Sequence, residues 1–594
     1  MKSYVQSIRT YLSSFPQLFS QPAILVWAVV LGIAGALTTI SFHETVKFLQ
    51  YLHSHQYGDP TKLAEQWSSL KKILVPTIAG FIAAMGLYWA SKIKVDANSD
   101  YMEAVAIGNG RLSMRQGLLR VASALSVAGA GWSLGREGPI IHLAAMTGSF
   151  LGRFFRLDTN HHRLLVACGA AAGVSSAYFA PIAGALFVAE IVLGSMASHV
   201  LGPLMISSAT AFITMRSLGF DSWLYSIPEI TVIGDKYLLV TIAIGFLSGI
   251  FAPLFLKYLE ICRQLFAKLG NTLFVSMTLG GFLLGCLIII EPWVTGKGDT
   301  IIHSYLTAPW TLSAIATILL LKILSTGISV GCGAVGGVIT PVMLMGASMA
   351  MLLTQMLALI FPDVTTFAPL FVLVGMGAFL GAATSAPLVA MVLVVEMSHS
   401  FNVIAPLMIA TVTSFFISRI ITGTVMFEVT EQREKNELVR NQLSKLKVKN
   451  FLNKNVNVLT PESTLQDVVN MFSEENVRYI YVVNAHNEFL GVIESKTMTR
   501  ILLTNPDLNA PISPELIQRS YIEPLTTSMN LDQAQECFLS SNGERLPVVD
   551  LQDPPHLVGI VYKSDVLRKL SEIKKIVDQS GPTVVDIRDK NDKS

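Results

Sequence analysis

The chain has 594 residues, of which 52% are hydrophobic and only 14% charged, with a net charge of +2. A soluble domain uses roughly 25% charged residues, so this composition excludes a soluble globule, and so small a net charge gives no reason to expect nucleic acid as a partner. Cys168, Cys262, Cys286, Cys332 and Cys537 lie far apart with no CxxC pair, which argues for small buried hydrophobes rather than a metal or disulfide framework.

Residues 1–21 are polar, with Lys2 and Arg9 and no acidic side chain, which predicts a cytoplasmic start. The apolar run that follows is too long and too late for a cleaved signal peptide. The charge-free runs 22–42, 73–91, 237–256 and 269–290 are each near the roughly 20 residues that cross a bilayer. Stretches 323–362 and 364–395 contain no Asp, Glu, Lys or Arg, so each must hold more than one buried segment. Composition changes after Phe427, where "EVTEQREKNELVRNQLSKLKVKN" is charged and helix-favouring. The expected organisation is a cytoplasmic segment 1–21 and an all-α polytopic membrane domain 22–430, then a linker 431–447. An α/β region follows in two modules, 448–507 and 515–575, with a tail 576–594.

The membrane domain repeats internally. "GAAAGVSSAYFAPIAGALFVAEI" from Gly169 is echoed by "GAFLGAATSAPLVAMVLVVEM" from Gly377, with Pro181 and Pro387 each nine residues before a glutamate, Glu190 or Glu396. Upstream, "SLGREGP" ending at Pro139 has a counterpart in "GAVGGVITP" ending at Pro341; the two pairs of prolines are displaced by 206 and 202 residues. Two features in the same order at nearly one displacement predict duplicated halves, about 22–225 and 236–430. Matched Gly- or Pro-interrupted segments in two halves point to a transporter's binding site. A helix that starts at such a break aims its free N–H groups and positive dipole end into the protein, where they attract an anion.

Glu137 lies inside the first break, "GWSLGREGPIIH". A charge at that depth costs roughly 2.5 to 3.5 kcal/mol, which two facing helix ends would offset. A cation pathway would need several oxygen ligands, but Glu137, Glu190 and Glu396 are few and dispersed. A membrane enzyme fits poorly, because the apolar segments carry no HExxH or GxSxG and no clustered His or Asp.

"GREGP" at 135–139 and "GGVITPVMLMGA" at 336–347, with a repeat in the tail, together resemble the CLC family of chloride channels and chloride/proton antiporters over nearly the whole chain. The form "SDYMEA" from Ser99 is similar to its bacterial voltage-gated-type branch. The resemblance implies a multi-pass homodimer of the inner membrane with both termini cytoplasmic, each subunit built of two inverted repeats with its own pore. Its partners would be chloride, protons and membrane lipid, and it would not be an enzyme. Glu137 matches the gating glutamate, whose carboxylate occupies the outer anion site until protonated or displaced. Val338 and Ile339 match the positions whose N–H groups face the anion, Gly138 follows the gate, and Arg136 makes the entrance positive.

Departures from the family pattern bear on mechanism. The usual "GSGIP" is missing: Ala97 stands opposite the anion-binding serine, with Asn98 and Ser99 one and two positions on. Phe427 replaces the inner tyrosine, and a lost hydrogen bond to a charged partner is worth roughly 1.5–3 kcal/mol. The inner glutamate that passes protons in antiporters corresponds to Ile191. Glu190 next to it faces about 100° away on a helix, and its echo at Glu396 suggests a shared structural role. The expected function is therefore channel-like chloride conduction. A chloride/proton antiporter and, more distantly, a CBS-bearing divalent-cation transporter are the alternatives.

In the tail, Thr460 and Thr526, Leu465 and Leu531, and Val483 and Val549 are all 66 residues apart. Short alternating strands around Gly491 and Gly559, each followed by a helix, are similar to a pair of CBS modules. Such pairs bind adenine nucleotides, ATP or AMP, with an aspartate touching ribose. Asp565 matches that aspartate, with Thr460 as a second candidate for nucleotide binding, while the first copy has Thr497 in place of the aspartate, so a purely structural, dimer-stabilising tail stays open. No metal is expected.

Overall fold

The computed structural model describes residues 21–580 apart from 94–96, 107, 221–224, 226–236, 270–271, 422–424, 428–438, 441, 455, 475–476, 504–505, 519–522 and 542. Expectations for residues 1–20 and 581–594, and for most of the linker, lie outside the described residues. The chain divides into two compact units, Met1–Glu431 and Gln432–Ser594.

The first unit is helical. In chain order it contains α1 (Gln21–Ser54), α2 (Pro60–Glu65), α3 (Ser69–Lys92), α4 (Tyr101–Ala106), α5 (Met114–Gly129), α6 (Glu137–Phe154), α7 (Thr159–Tyr178) and α8 (Pro181–Phe187). It continues with α9 (Ser198–Ser217), α10 (Leu238–Leu269), α11 (Leu273–Ile290), α12 (Asp299–Thr307), α13 (Leu312–Gly331), α14 (Ile339–Ala358), α15 (Ala368–Thr384), α16 (Pro387–Ser398) and α17 (Ile404–Ile421). Among the described residues nine helices are long and apolar enough to cross a membrane. Helix α10, with 32 residues, is about 48 Å long at 1.5 Å per residue, well beyond a hydrocarbon layer of about 30 Å.

The duplication is visible in local geometry. Helix α7 ends on a left-handed Phe179 (φ 55°), Ala180 is extended (φ −125°, ψ 84°), and Pro181 starts α8. Helix α15 ends on a left-handed Ser385 (φ 56°), Ala386 is extended (φ −127°, ψ 76°), and Pro387 starts α16. Left-handed non-glycine residues are uncommon, so the same sequence of three backbone states in both halves is a strong mark of repetition. Small residues bring the central helices together: a Cβ on Gly346 of α14 would lie 2.1 Å from the Gly375 carbonyl oxygen of α15, and one on Gly375 would lie 2.3 Å from that of Gly346. Helix α15 is consequently among the most deeply buried, lined by Phe371, Leu373 and Met376.

The second unit contains two three-stranded sheets of the same design. β1 (Val458–Leu459) runs parallel to β2 (Tyr479–Val483), which pairs antiparallel with β3 (Phe489–Glu494); α18 (Leu465–Glu474) and α19 (Ser495–Leu502) flank them. In the second copy β4 (Leu525–Thr526) and β6 (Leu557–Tyr562) sit on either side of β5 (Arg545–Val549), with α20 (Leu531–Ser540) and α21 (Lys563–Ser580). Register shifts fall at Val482/Val483 and Val548/Val549, the same place in each copy. Leu465 and Leu531, at corresponding positions, each open a helix and are buried.

Candidate functional site

The two glycine-rich breaks are clasped together. Gly135 N–H donates to the Gly337 carbonyl at 2.7 Å, and Gly337 N–H donates back to Gly135 at 2.8 Å, an antiparallel bridge between the halves. Helix α6 starts one residue after Arg136 and α14 one residue after Val338; neither residue provides a side-chain cap, as is expected of residues without a short side-chain acceptor. Glu137 and Ile339 are the first helical residues, and Pro139 and Pro341 are each third. The N–H groups of Glu137 and Gly138 in one half, and of Ile339 and Thr340 in the other, therefore have no acceptor within their helices. They and the two dipole ends converge at the clasp, which is a reception for negative charge.

The Glu137 side chain occupies that place and is only 2% exposed. Its Oε1 accepts the Thr340 hydroxyl proton at 2.7 Å and faces the Lys297 ammonium at 3.5 Å. Its Oε2 is buried and has no hydrogen-bond partner among the described residues. The buried hydroxyls of Tyr178 and Tyr225 stand within electrostatic reach of the carboxylate.

Beside Glu137 is a cavity of about 450 Å³ whose walls include Ser99, Gly138, Val338, Ile339 and Phe427. Four elements distant in sequence thus meet there. Of the three candidates for the missing serine position, the structure puts Ser99 on this wall. Ala97 and Asn98 line a second recess with Glu103 and Gln116, and Ser99 is shared between the two; Asn98 N–H donates to the Arg111 carbonyl at 3.1 Å. The ring of Phe427 packs edge-on against Phe187, with centroids 5.9 Å apart, so an apolar contact stands where a phenol would otherwise present its hydroxyl. Asp100 and His142 also line the cavity; neither was singled out in the sequence, although His142 is only five residues beyond Glu137.

Glu190 and Glu396 act crosswise. The Glu190 carboxylate accepts N–H groups of Leu388 and Val389 at 3.4 and 2.8 Å, at the start of α16. The Glu396 carboxylate accepts those of Ile182 and Ala183 at 2.9 and 2.7 Å, at the start of α8. Each half supplies the N-terminal cap of the other half's short helix. Ile191 is 2% exposed and lies in a π-helical turn, Val188–Leu193, so the position matching the inner proton donor is apolar and packed.

Two lysines escaped the sequence reading. Lys322, fully buried in α13, donates its ammonium to the carbonyls of Val294 and Gly296 at 2.7 and 2.6 Å. That pins the loop carrying Lys297. An ionisable residue inside a span is a functional signal in itself, but the charge-free run was counted from the next residue on.

In the second unit a cleft of about 670 Å³ is lined by Asn450 to Lys454 and by Asp565, Arg568 and Glu572. Asp565 is ion-paired with Arg568 there. Thr460 is not on this cleft; its hydroxyl bonds to Ser463 at 3.3 Å. The two residues singled out for nucleotide are thus not brought together, because Thr460 closes its own turn.

Comparison with known proteins agrees with this construction. Residues 86–419 match the voltage gated chloride channel family, and residues 448–504 and 517–572 match the CBS domain. A chloride channel protein ClcB-like from Ralstonia nicotianae is 38% identical over 423 residues, covering 70% of this chain and 98% of the relative. The voltage-gated ClC-type chloride channel ClcB of Escherichia coli is 34% identical over 401 residues, covering 66% and 95%. Among solved structures the fold is shared with a slow cyanobacterial Cl−/H+ antiporter (TM-score 0.61, 23% identity, 69% of this chain and 97% of that one). It is shared also with a eukaryotic CLC transporter (TM-score 0.60, 17% identity, 91% and 97%). The fold is thus that of two inverted membrane repeats followed by an α/β pair, and the chain belongs to the CLC family of voltage gated chloride channels and carries a C-terminal pair of CBS domains.

Proposed function

We propose that the protein conducts chloride passively across the inner membrane, as a homodimer with both termini cytoplasmic, and that Glu137 is its protonatable gate. The observation that carries this reading is the seat of the Glu137 carboxylate between two uncapped helix ends, held by Thr340 and Lys297. A carboxylate so placed is a tethered anion in an anion's position. While ionised it fills the site; protonation at the unpartnered Oε2, or competition from chloride, releases it, and the main-chain N–H groups of Gly138, Ile339 and Thr340 pass to the permeating ion. Ser99 is the side chain that lends a hydroxyl on the cavity, and Arg136 makes the approach positive. Ile191 supports channel-like conduction over coupled exchange, since a packed isoleucine cannot relay a proton. The CBS pair modulates conduction, with adenine nucleotide in the cleft beside Asp565.

The second reading is a chloride/proton antiporter; Asp100 and His142, two ionisable groups on the cavity wall, favour it. In liposomes, Glu137→Gln mimics the protonated gate and gives a larger, less pH-dependent chloride flux. Unchanged pH dependence removes Glu137 from the gating role, and a cation-selective reversal potential refutes the chloride reading.

A further inference from the structure

The Lys297 ammonium is 3.5 Å from Glu137 Oε1 and 3.6 Å from Asp299 Oδ2, with its side chain only 15% exposed. It is a single cation placed between two carboxylates, one of them the gate. Its loop is not free to drift: Lys322 holds the carbonyls of Val294 and Gly296, and Thr300 at the start of α12 bonds to Asp59, which caps α2. The groups facing this cluster are Arg136 at the start of α6, His43 on α1, Tyr178 on α7, Tyr225, and Asp299 on α12. Among these described residues Arg136 and Lys297 are balanced by Glu137 and Asp299. When Glu137 is protonated or swings away, one positive charge is left over at the place the carboxylate vacated.

We propose that Lys297 is the counter-ion of the gate and part of the anion site behind it: its ammonium is shared by Glu137 and Asp299 while the gate is seated, and by Asp299 and chloride once the gate has left. This rests on Glu137 being the gate. Lys297 then sets both the pH at which conduction turns on and the chloride concentration at which it saturates, and Asp299 opposes it by drawing the ammonium away from Glu137.

The test is chloride flux from liposomes as a function of pH and of chloride concentration. Removing a cation from beside an ionised carboxylate favours the protonated form, so Lys297→Gln moves the half-activation pH up by about one unit, tenfold in proton concentration. It also raises half-saturating chloride several-fold. Asp299→Asn leaves the ammonium to Glu137 alone and moves half-activation down. Lys297→Arg keeps the charge and restores most of both properties, which separates loss of charge from damage to the loop. In the Glu137→Gln background Lys297→Gln has no pH effect but still raises half-saturating chloride. A Lys297→Gln profile that superposes on the parent, or shifts of the same sign for Lys297→Gln and Asp299→Asn, overturns the proposal. If Glu137→Gln alone keeps the parent's pH dependence, it is the gate reading that fails; half-saturating chloride then decides Lys297, and an unchanged value overturns its role.

Discussion

Replacing Thr340 with valine keeps the branched shape of a buried side chain and deletes one hydroxyl. That hydroxyl donates to Glu137 Oε1 at 2.7 Å, across a separation of 203 residues, and a bond of this kind holds an ionised carboxylate more strongly than a protonated one. A hydrogen bond to a charged acceptor is worth about 1.5–3 kcal/mol, and one pH unit corresponds to about 1.4 kcal/mol, so half-activation should move by about one to two pH units. The sign follows from which state is weakened. Thr340→Val destabilises the ionised plug, a proton then displaces it at lower proton concentration, and conduction turns on at higher pH. Because Oε1 also faces Lys297, the loss is partly compensated and the lower half of that range is expected. The assay is chloride efflux from liposomes across a pH series, with Glu137→Gln/Thr340→Val as the control in which no shift remains. A Thr340→Val profile that coincides with the parent, or moves to lower pH, refutes the assignment of Thr340 as a strut of the closed gate.

The same geometry constrains three further variants. A Cβ at Gly135 would lie 2.0 Å from Glu137 Oε2, and the carboxylate end is the more yielding partner, so Gly135→Ala evicts it and raises flux at neutral pH toward that of Glu137→Gln; a flux that stays pH-gated contradicts this. Glu396→Gln leaves one acceptor for the two N–H groups of Ile182 and Ala183 and removes the charge from a helix N-terminus, a loss of about 2 kcal/mol. A lower unfolding midpoint in detergent with an unshifted pH profile of flux is expected, and a shifted profile would place Glu396 in transport instead. Phe427→Tyr puts a hydroxyl on the cavity wall and lowers half-saturating chloride, read from the concentration dependence of flux; an unchanged value shows that the ring does not meet the ion.

Much of the site was legible because it is built from main chain. Glycines and prolines at matched displacements specify where helices break, so the helix starts at Glu137 and Ile339 follow from the sequence without any contact. The side-chain partners of Glu137 were not legible. Thr340 lies inside the motif that was read for its N–H groups, but nothing local says that its hydroxyl reaches Glu137. Lys297 stands in a short polar loop between apolar segments, where a solvated residue is the ordinary outcome; Lys322 and the Thr300–Asp59 bond hold that loop beside Glu137. For Glu190 and Glu396 the equal spacing from proline signalled a common role, while the crosswise exchange between halves is a property of the pseudo-symmetric packing. Counting from Glu103 puts Ala97 opposite the missing serine and keeps Asn98 and Ser99 as candidates; of the three, Ser99 lines the cavity that Gly138 and Val338 also line. In the tail the 66-residue repeat defined both sheets, but equivalence in a repeat does not make two residues share a cleft, as Thr460 and Asp565 show.

The most direct measurement imposes a chloride gradient on liposomes containing the protein and records chloride and protons together. Passive conduction past an apolar Ile191 carries chloride down its gradient at a rate that rises as pH falls, with no protons driven uphill. A stable proton gradient generated by chloride movement alone would contradict it.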